Sequence, residues 1–296
     1  MKTETYDLEF ITPCFCAGAN QAVAEIRVPS IRGELRWWFR ALGGNRRDEA
    51  RLFGSAAHDT GVSSCIRLVI SDIVKPAEAW TLPQFKRNAP ESYVWYYAQV
   101  SGTTGKGAAG PRWQPQGQGV IPPRTTFKLR LTWLRALNEL QHAFDETLSA
   151  FLALGAIGLR TTRGLGAFHC KQIPDLNAVI STLEKKSFVI KRRTAPTDFG
   201  NYESALKDWA AWLRYRLRRD CKAAKPSPLG SSTPRQTSAI RFRPIKTSNG
   251  RISWLAYEAP ADRVLGKKSR HLGRLLQRYD FSGKAPQPPA RSHQRY

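Results

Sequence analysis

Acidic residues are scarce in this chain: 23 Asp and Glu stand against 47 Lys and Arg in 296 residues, a formal charge of +24. A basic balance of that size points to a polyanionic partner, nucleic acid first and an anionic membrane second. Long apolar runs are missing too. The longest, Ala150 to Leu159, is far short of the roughly 20 residues that span a bilayer, which argues against a membrane partner. The opening MKTETYDLEF lacks the apolar stretch of a secretory signal, so the expected compartment is the cytoplasm. Cysteines are few and odd in number: Cys14, Cys16, Cys65, Cys170 and Cys221. That favours reduced thiols. Neither Cys14-Phe-Cys16 nor His169-Cys170 has the ligand spacing of a tetrahedral zinc, so no metal and no cofactor is expected.

What the chain does contain is ordered structure, with 41% hydrophobic residues and nine Trp. Tyr6 to Ile11 alternates as a strand. A helix is expected from an N-cap at Ser30 to the Gly43-Gly44 stop, followed by a turn at Asp48 to Phe53. Cys65 to Val74 and Tyr93 to Val100 read as extended, and Thr125 to Trp133 is a clean alternating strand. Leu137 to Gly155 is amphipathic, placing His142 in packing, and Ala167 to Ile173 closes the series. The order is βαββαβ, that of a ferredoxin-like domain. Beyond Pro174 follow a strand near Phe188, a helix from Asn201 to Lys222, and a hairpin around Asn249-Gly250. A basic helix from Asp262 to Tyr279 comes last. The fold expected is α+β, with tandem ferredoxin-like modules at 1–173 and 174–282, the second degenerate. A basic tail at 283–296 is expected to be disordered.

Three basic stations stand out. In the first, Ile26 to Ser55, the residues Ile31, Leu35, Trp38, Phe39 and Leu42 share one helical face. Arg32, Arg36 and Arg40 form a separate stripe, four residues apart. Like charges at that spacing repel, so the stripe makes sense if something anionic sits on it. Trp37 lies between stripe and core, available for packing or for stacking on a base. The second station is GLRTTRGLGAF, Gly158 to Phe168. Gly158, Gly164 and Gly166 allow close approach or positive φ, while Arg160 and Arg163 offer forks to phosphates. A tight helix-to-strand turn would use the same residues. The third, Pro228 to Pro244, carries Arg235. The Gly-rich insert at 101–119 is not a phosphate-binding loop. Val100 stands where a glycine is needed, and Gly107 where Ser or Thr is. The insert suits a finger that orders on a partner, or plain disorder.

Together PSIRGELRWWFRAL with its LFGS sequel, GLRTTRGLGAF and PLGSSTPRQTSAIRFRP resemble the RAMP superfamily of CRISPR-associated proteins. Within it they are most similar to the family of first subunits of Cmr-type (type III-B) effector complexes. Thr161-Thr162 departs from the basic pattern of the loop, and the insert has no counterpart. The resemblance implies two ferredoxin-like modules, guide RNA and target RNA as ligands, and other complex subunits as partners. It implies a capping place at the guide's 3′ region in antiviral defence, and no small-molecule substrate. Carried over, the RNA-facing residues are Arg32, Arg36, Arg40, Gly158, Arg160, Arg163, Gly164, Gly166 and Arg235, with Trp37 beside them. Cleavage by other RAMP proteins keeps two alternatives open: an endoribonuclease of guide precursors, or a generic basic RNA-binding protein. Metal-free cleavage needs an acid and a base, usually His. Of the five histidines, His58 beside Asp59 is the one to test, and the facing of His169 is open.

Overall fold

A computed structural model describes residues 2–20, 23–56, 61–81, 83, 85, 89–95, 119–136, 138–172, 175–221, 226–232, 235–269 and 274–288. The elements run β1 (Thr3–Phe10), α1 (Val28–Ala41), α2 (Arg46–Phe53), β2 (Ile66–Val74), α3 (Glu91–Trp95), β3 (Thr126–Trp133), α4 (Asn138–Leu154) and β4 (Phe168–Cys170). They continue with α5 (Leu176–Lys185), β5 (Val189–Arg192), α6 (Tyr202–Trp212), the short pair β6 (Ser231–Ser232) and β7 (Arg235–Gln236), β8 (Ile240–Lys246) and β9 (Ile252–Glu258).

Alternation builds the first sheet. In β3 the side chains of Phe127, Leu129, Leu131 and Trp133 are all buried, and in β1 those of Leu8 and Phe10. The register Leu8↔Phe127 and Leu8↔Cys170 brings these onto one face. The sheet order is β2-β3-β1-β4, with every neighbouring pair antiparallel. Helices α1 and α4 cover the apolar face, contributing Ile31, Leu35 and Trp38, and Phe144, Leu148 and Phe151. Each such large side chain, fully buried, stabilises by about 1.5–3 kcal/mol.

The second sheet has order β5-β9-β8, again antiparallel. Its hairpin turns at Asn249-Gly250 as expected, with Gly250 at φ +77°. Ile240, Phe242, Trp254 and Ala256 pack on Leu206, Trp209 and Leu213. Leu255 and Tyr257 face the other way and join the core of the first sheet, where Tyr257 lies 5.3 Å from Trp38. Helix α1 is therefore held between two sheets. Both hydrophobic clusters draw residues from each side of position 173.

Local expectations fail in identifiable places. Helix α1 starts two residues before Ser30, with Pro29 in its first turn; Ser30 Oγ instead meets Cys16 Sγ at 3.4 Å. Tyr93 sits in a helical turn rather than a strand, and residues 96–100 lie outside the described residues. Among the described residues, the expected helix over 262–279 is broken into one α turn, Ala261–Val264, and two 3₁₀ turns, Lys267–Ser269 and Leu275–Arg278. Gly266, at φ +99°, interrupts it, and the Glu258 carboxylate takes the Leu276 N–H at 2.8 Å. His142 is not packed: its side chain is 86% exposed. Residues 101–118 of the insert and 289–296 of the tail lie outside the described residues.

Gly33 is anomalous in α1. It is exposed in mid-helix, and a Cβ there would meet nothing within 4 Å. Helix-interior Gly costs roughly 0.5–1 kcal/mol relative to Ala. Gly33→Ala is therefore expected to stabilise the fold by about that amount, read as a higher midpoint in chemical denaturation.

Candidate nucleic-acid interface

The arginine stripe of α1 finds its anion inside the molecule. Asn45 caps α2, its side chain accepting from Asp48 N–H at 2.9 Å. Asp48 and Glu49 occupy the first turn, where carboxylates suit the helix dipole. Glu49 is buried, and its Oε1 lies 3.2 Å from Arg36 Nη1 and 2.6 Å from Arg40 Nη1. Arg36 also donates to the carbonyls of Phe53 (3.1 Å) and Gly54. This explains the LFGS sequel: its backbone is a ligand for the stripe. Two guanidinium groups against one carboxylate leave positive charge, and their side chains remain 30% and 39% exposed. Arg32 is half-buried, and its Nε is buried without a hydrogen bond among the described residues.

Trp37 is not open to a base. It is 7% exposed, edge-on to Trp38 at 5.1 Å, and Arg241 lies over its ring at 3.5 Å. The face assigned to stacking is the face on which the second sheet packs. Arg241 in turn pairs with Glu34 at 2.7 Å.

In the second station the glycines serve the chain itself. Gly158, Gly164 and Gly166 have φ of +95°, +92° and +66°. A Cβ on Gly158 would stand 2.5 Å from Phe15 O, one on Gly164 3.0 Å from the Trp209 ring, and one on Gly166 would overlap the Ile157 carbonyl. Gly164 and Gly166 are buried, so the close approach is by backbone and Trp209 rather than by ligand. Arg163 is 5% exposed and donates to Leu229 O at 2.7 Å; burial presses its pKa downward. Arg160, at φ +61°, donates to the carbonyls of Val94 (2.9 Å) and Tyr93.

These contacts create an arginine cluster. Arg160, Arg163 and Arg218 approach the Tyr93 ring at 5.6, 5.8 and 4.8 Å. Arg214 joins them through Ala89 O (2.7 Å) and Ser92 Oγ (2.9 Å). Among the described residues, no acid closes a salt bridge with Arg163, Arg214 or Arg218. Arg218 is exposed. Uncompensated guanidinium groups beside an aromatic ring can take phosphates and bases together.

The third station meets the second directly. Phe242 N–H donates to Thr162 O at 3.2 Å, and Leu229 O receives Arg163. It meets the first through Arg241. Arg235 pairs with Ser232 in β7; its side chain lies outside the described residues. So does His58. His169 stands opposite Glu9, which pairs with Lys246 of β8 at 3.2 Å; it is half-buried, its pKa lowered by burial and by Lys246. All five cysteines are free and buried. Among the described residues there is no group of three His, Cys, Asp or Glu that could hold a metal, and no helix is long and apolar enough to cross a membrane.

Sequence reasoning missed Tyr93, Arg214, Arg218, Arg241 and Arg243. The helix dipole alone was reason enough for Arg214 and Arg218, in the turns that follow α6. Arg241 and Arg243 alternate with Ile240 and Phe242, a pattern that reads as a solvated strand face. Yet Arg243 is fully buried, and its three nitrogens make no hydrogen bond among the described residues.

Comparison with known proteins bears on this arrangement. A sequence model of the RAMP superfamily matches residues 7–169. The CRISPR system Cmr subunit Cmr1-1 of Pyrococcus furiosus is 27% identical over 177 residues. The match takes in 56% of this chain and 47% of that protein, so the chain spans about half the relative's length. The crystal structure of Cmr1 from Pyrococcus furiosus, in its apo form, is similar with a TM-score of 0.56 at 17% identity, over 88% of each chain. A chain in the cryo-EM structure of type III-B Cmr-beta bound to cognate target RNA gives 0.50 at 13% identity, over 86% of this chain and 94% of that one. At these identities the likeness concerns the fold.

Proposed function

This chain belongs to the RAMP superfamily, and on that footing we propose that it is a non-catalytic RNA-binding subunit of a type III-B CRISPR effector complex in the cytoplasm. It caps the 3′ region of the guide RNA, helps to hold target RNA and contacts neighbouring subunits. The observation that carries the reading is the cluster of Arg160, Arg163, Arg214 and Arg218 around Tyr93, at the meeting of the second and third stations. The similarity to Cmr1 and to a chain of an RNA-bound Cmr-beta assembly supports it. The chain is proposed to comprise two ferredoxin-like modules, 1–173 and 174–282. Supporting the first is the series β1, α1, β2, β3, α4, β4, with α2 and α3 added to it, and the antiparallel strand order β2-β3-β1-β4. In the second, β5, α6, β8 and β9, with strand order β5-β9-β8 and the short pair β6–β7 set in before β8, follow the β-α-β-β start of that fold. Arg36 and Arg40, with charge left over after Glu49, extend the phosphate path.

The test is the salt dependence of RNA binding. Each phosphate contact on a single strand contributes about −0.7 to the slope of log K against log salt. Arg218→Ala and Arg214→Ala are each expected to flatten the slope by about that amount, and the RNA is expected to be recovered full-length. Unchanged slope and affinity in both variants would refute the cluster as an RNA contact.

A further inference from the structure

The chain that continues α6 does not keep α geometry throughout. After Trp212 it widens into a π turn, Leu213–Leu217, and regains α geometry at Arg218–Asp220. Such turns are rare and recur at functional sites. Here the departure accompanies a cavity of about 360 Å³ between this segment and the 3₁₀ turn at Leu275–Arg278. Trp212, Arg216 and Asp220 line one wall; Leu275, Arg278 and Tyr279 line the other, with Asp280 at the end.

The chemistry of the walls is selective. Trp212 is half-buried, its ring held edge-on by Phe281 at 5.2 Å and 75°. Arg216 and Arg278 are exposed, and neither forms a salt bridge among the described residues. The two carboxylates are already engaged. Asp220 accepts from the Tyr279 hydroxyl, whose pKa is pushed up by burial and by that carboxylate, so that it remains a donor. Asp280 accepts from Ser282 Oγ at 2.7 Å. The cavity thus offers a flat aromatic and two uncommitted guanidinium groups. A ligand matching both has a planar ring and an anionic group. The volume lies at the small end of ligand pockets, which run from about 300 to 1,000 Å³, so it suits one nucleotide rather than a helix or a duplex.

We propose that this cavity takes a single unpaired ribonucleotide of the bound RNA, its base against Trp212 and its phosphate between Arg216 and Arg278. The proposal rests on the RNA-binding reading but concerns a different surface from the Tyr93 cluster. A paired base is stacked inside its helix, so only a single-stranded segment can supply the ligand.

The test uses the full chain and single-stranded RNA carrying 5-iodouridine, photo-cross-linked and mapped by mass spectrometry. An adduct on Trp212 is expected, with none on Trp209, which is fully buried in the same helix. Millimolar uridine 5′-monophosphate is expected to compete the adduct away. Trp212→Leu should weaken binding about 5- to 150-fold, the range for loss of one stacked base. Should that variant fail to fold, the paired change Arg216→Gln with Arg278→Gln alters only exposed side chains; it is expected to lower adduct yield and flatten the salt slope. RNA that binds through Arg218 but gives no adduct at Trp212, or an unchanged yield in the paired variant, overturns the nucleotide pocket and leaves the RNA-binding reading standing. RNA that does not bind the chain at all overturns both.

Discussion

Asp208→Ala is expected to destabilise the protein by about 3–5 kcal/mol, the cost of stranding a buried charge. Asp208 lies on α6, where its Oδ1 is 2.9 Å from Arg193 Nε and accepts from Trp254 Nε1 at 2.9 Å. Its Oδ2 accepts from Arg193 Nη2 at 3.1 Å. The Arg193 side chain is 0% exposed, so no water can replace the lost carboxylate. The same guanidinium donates to the carbonyls of Phe281 and, at 2.6 Å, Gly283. Those bonds tie down the segment that packs Phe281 against Trp212 and Trp254. Urea denaturation of Asp208→Ala should show the loss, and the photo-adduct at Trp212 should fall with it. Replacing both members, Arg193→Met with Asp208→Leu, is expected to recover only part of the loss: the stranded charge is gone, but Trp254 Nε1 and the carbonyls of Phe281 and Gly283 lose their partners. A single variant within about 1 kcal/mol of the parent would show that the pair is not sealed from solvent.

Gly166→Ala is the second large effect. The added Cβ would stand 2.9 Å from Ile157 C and overlap its carbonyl oxygen, with φ at +66°. The left-handed conformation alone costs roughly 1–2 kcal/mol for a residue with a Cβ. Backbone cannot swing aside as a flexible side chain would, so the total should exceed about 3 kcal/mol. Ile157 N–H donates to Gly166 O at 2.9 Å, and Gly166 N–H to Pro13 O at 2.9 Å. The collision would therefore open the turn that holds Arg160 and Arg163, and RNA affinity should fall together with stability. Full stability with lost affinity would instead mean that Gly166 leaves room for the ligand. Thermal unfolding and RNA titration of one sample separate the two outcomes.

Much of the fold is legible from short-range pattern. The alternation of Phe127, Leu129, Leu131 and Trp133 gives β3, and Phe144, Leu148 and Phe151 give α4. Asn249-Gly250 gives the hairpin. What pattern does not carry is the identity of a distant neighbour. The stripe of Arg36 and Arg40 is legible, but its counter-ion on α2 is not; periodicity says only that the charges share a face. Trp37 has the phase of a boundary residue, and the strand that covers it arrives about 200 positions later. The same gap hides the Tyr93 cluster, whose members come from α3, the Gly-rich loop and the turns that follow α6. The broken helix after Ala261 is a different failure. A side-chain carboxylate, Glu258, competes for a backbone donor that periodicity assigns to helix.

Helix α1, pressed between the two sheets, also has a consequence for synthesis. Its Trp38 stacks on Phe188 and lies against Tyr257, so its second face stays wet until residue 257 has left the ribosome. Contacts spanning so much of the chain must be closed against loop entropy, and folding slows as their separation grows. The nascent first half exposes two tryptophans until the last hairpin forms. The body can thus be completed only once β9 has emerged, and a chain released before β9 would offer that open face to chaperones and proteases.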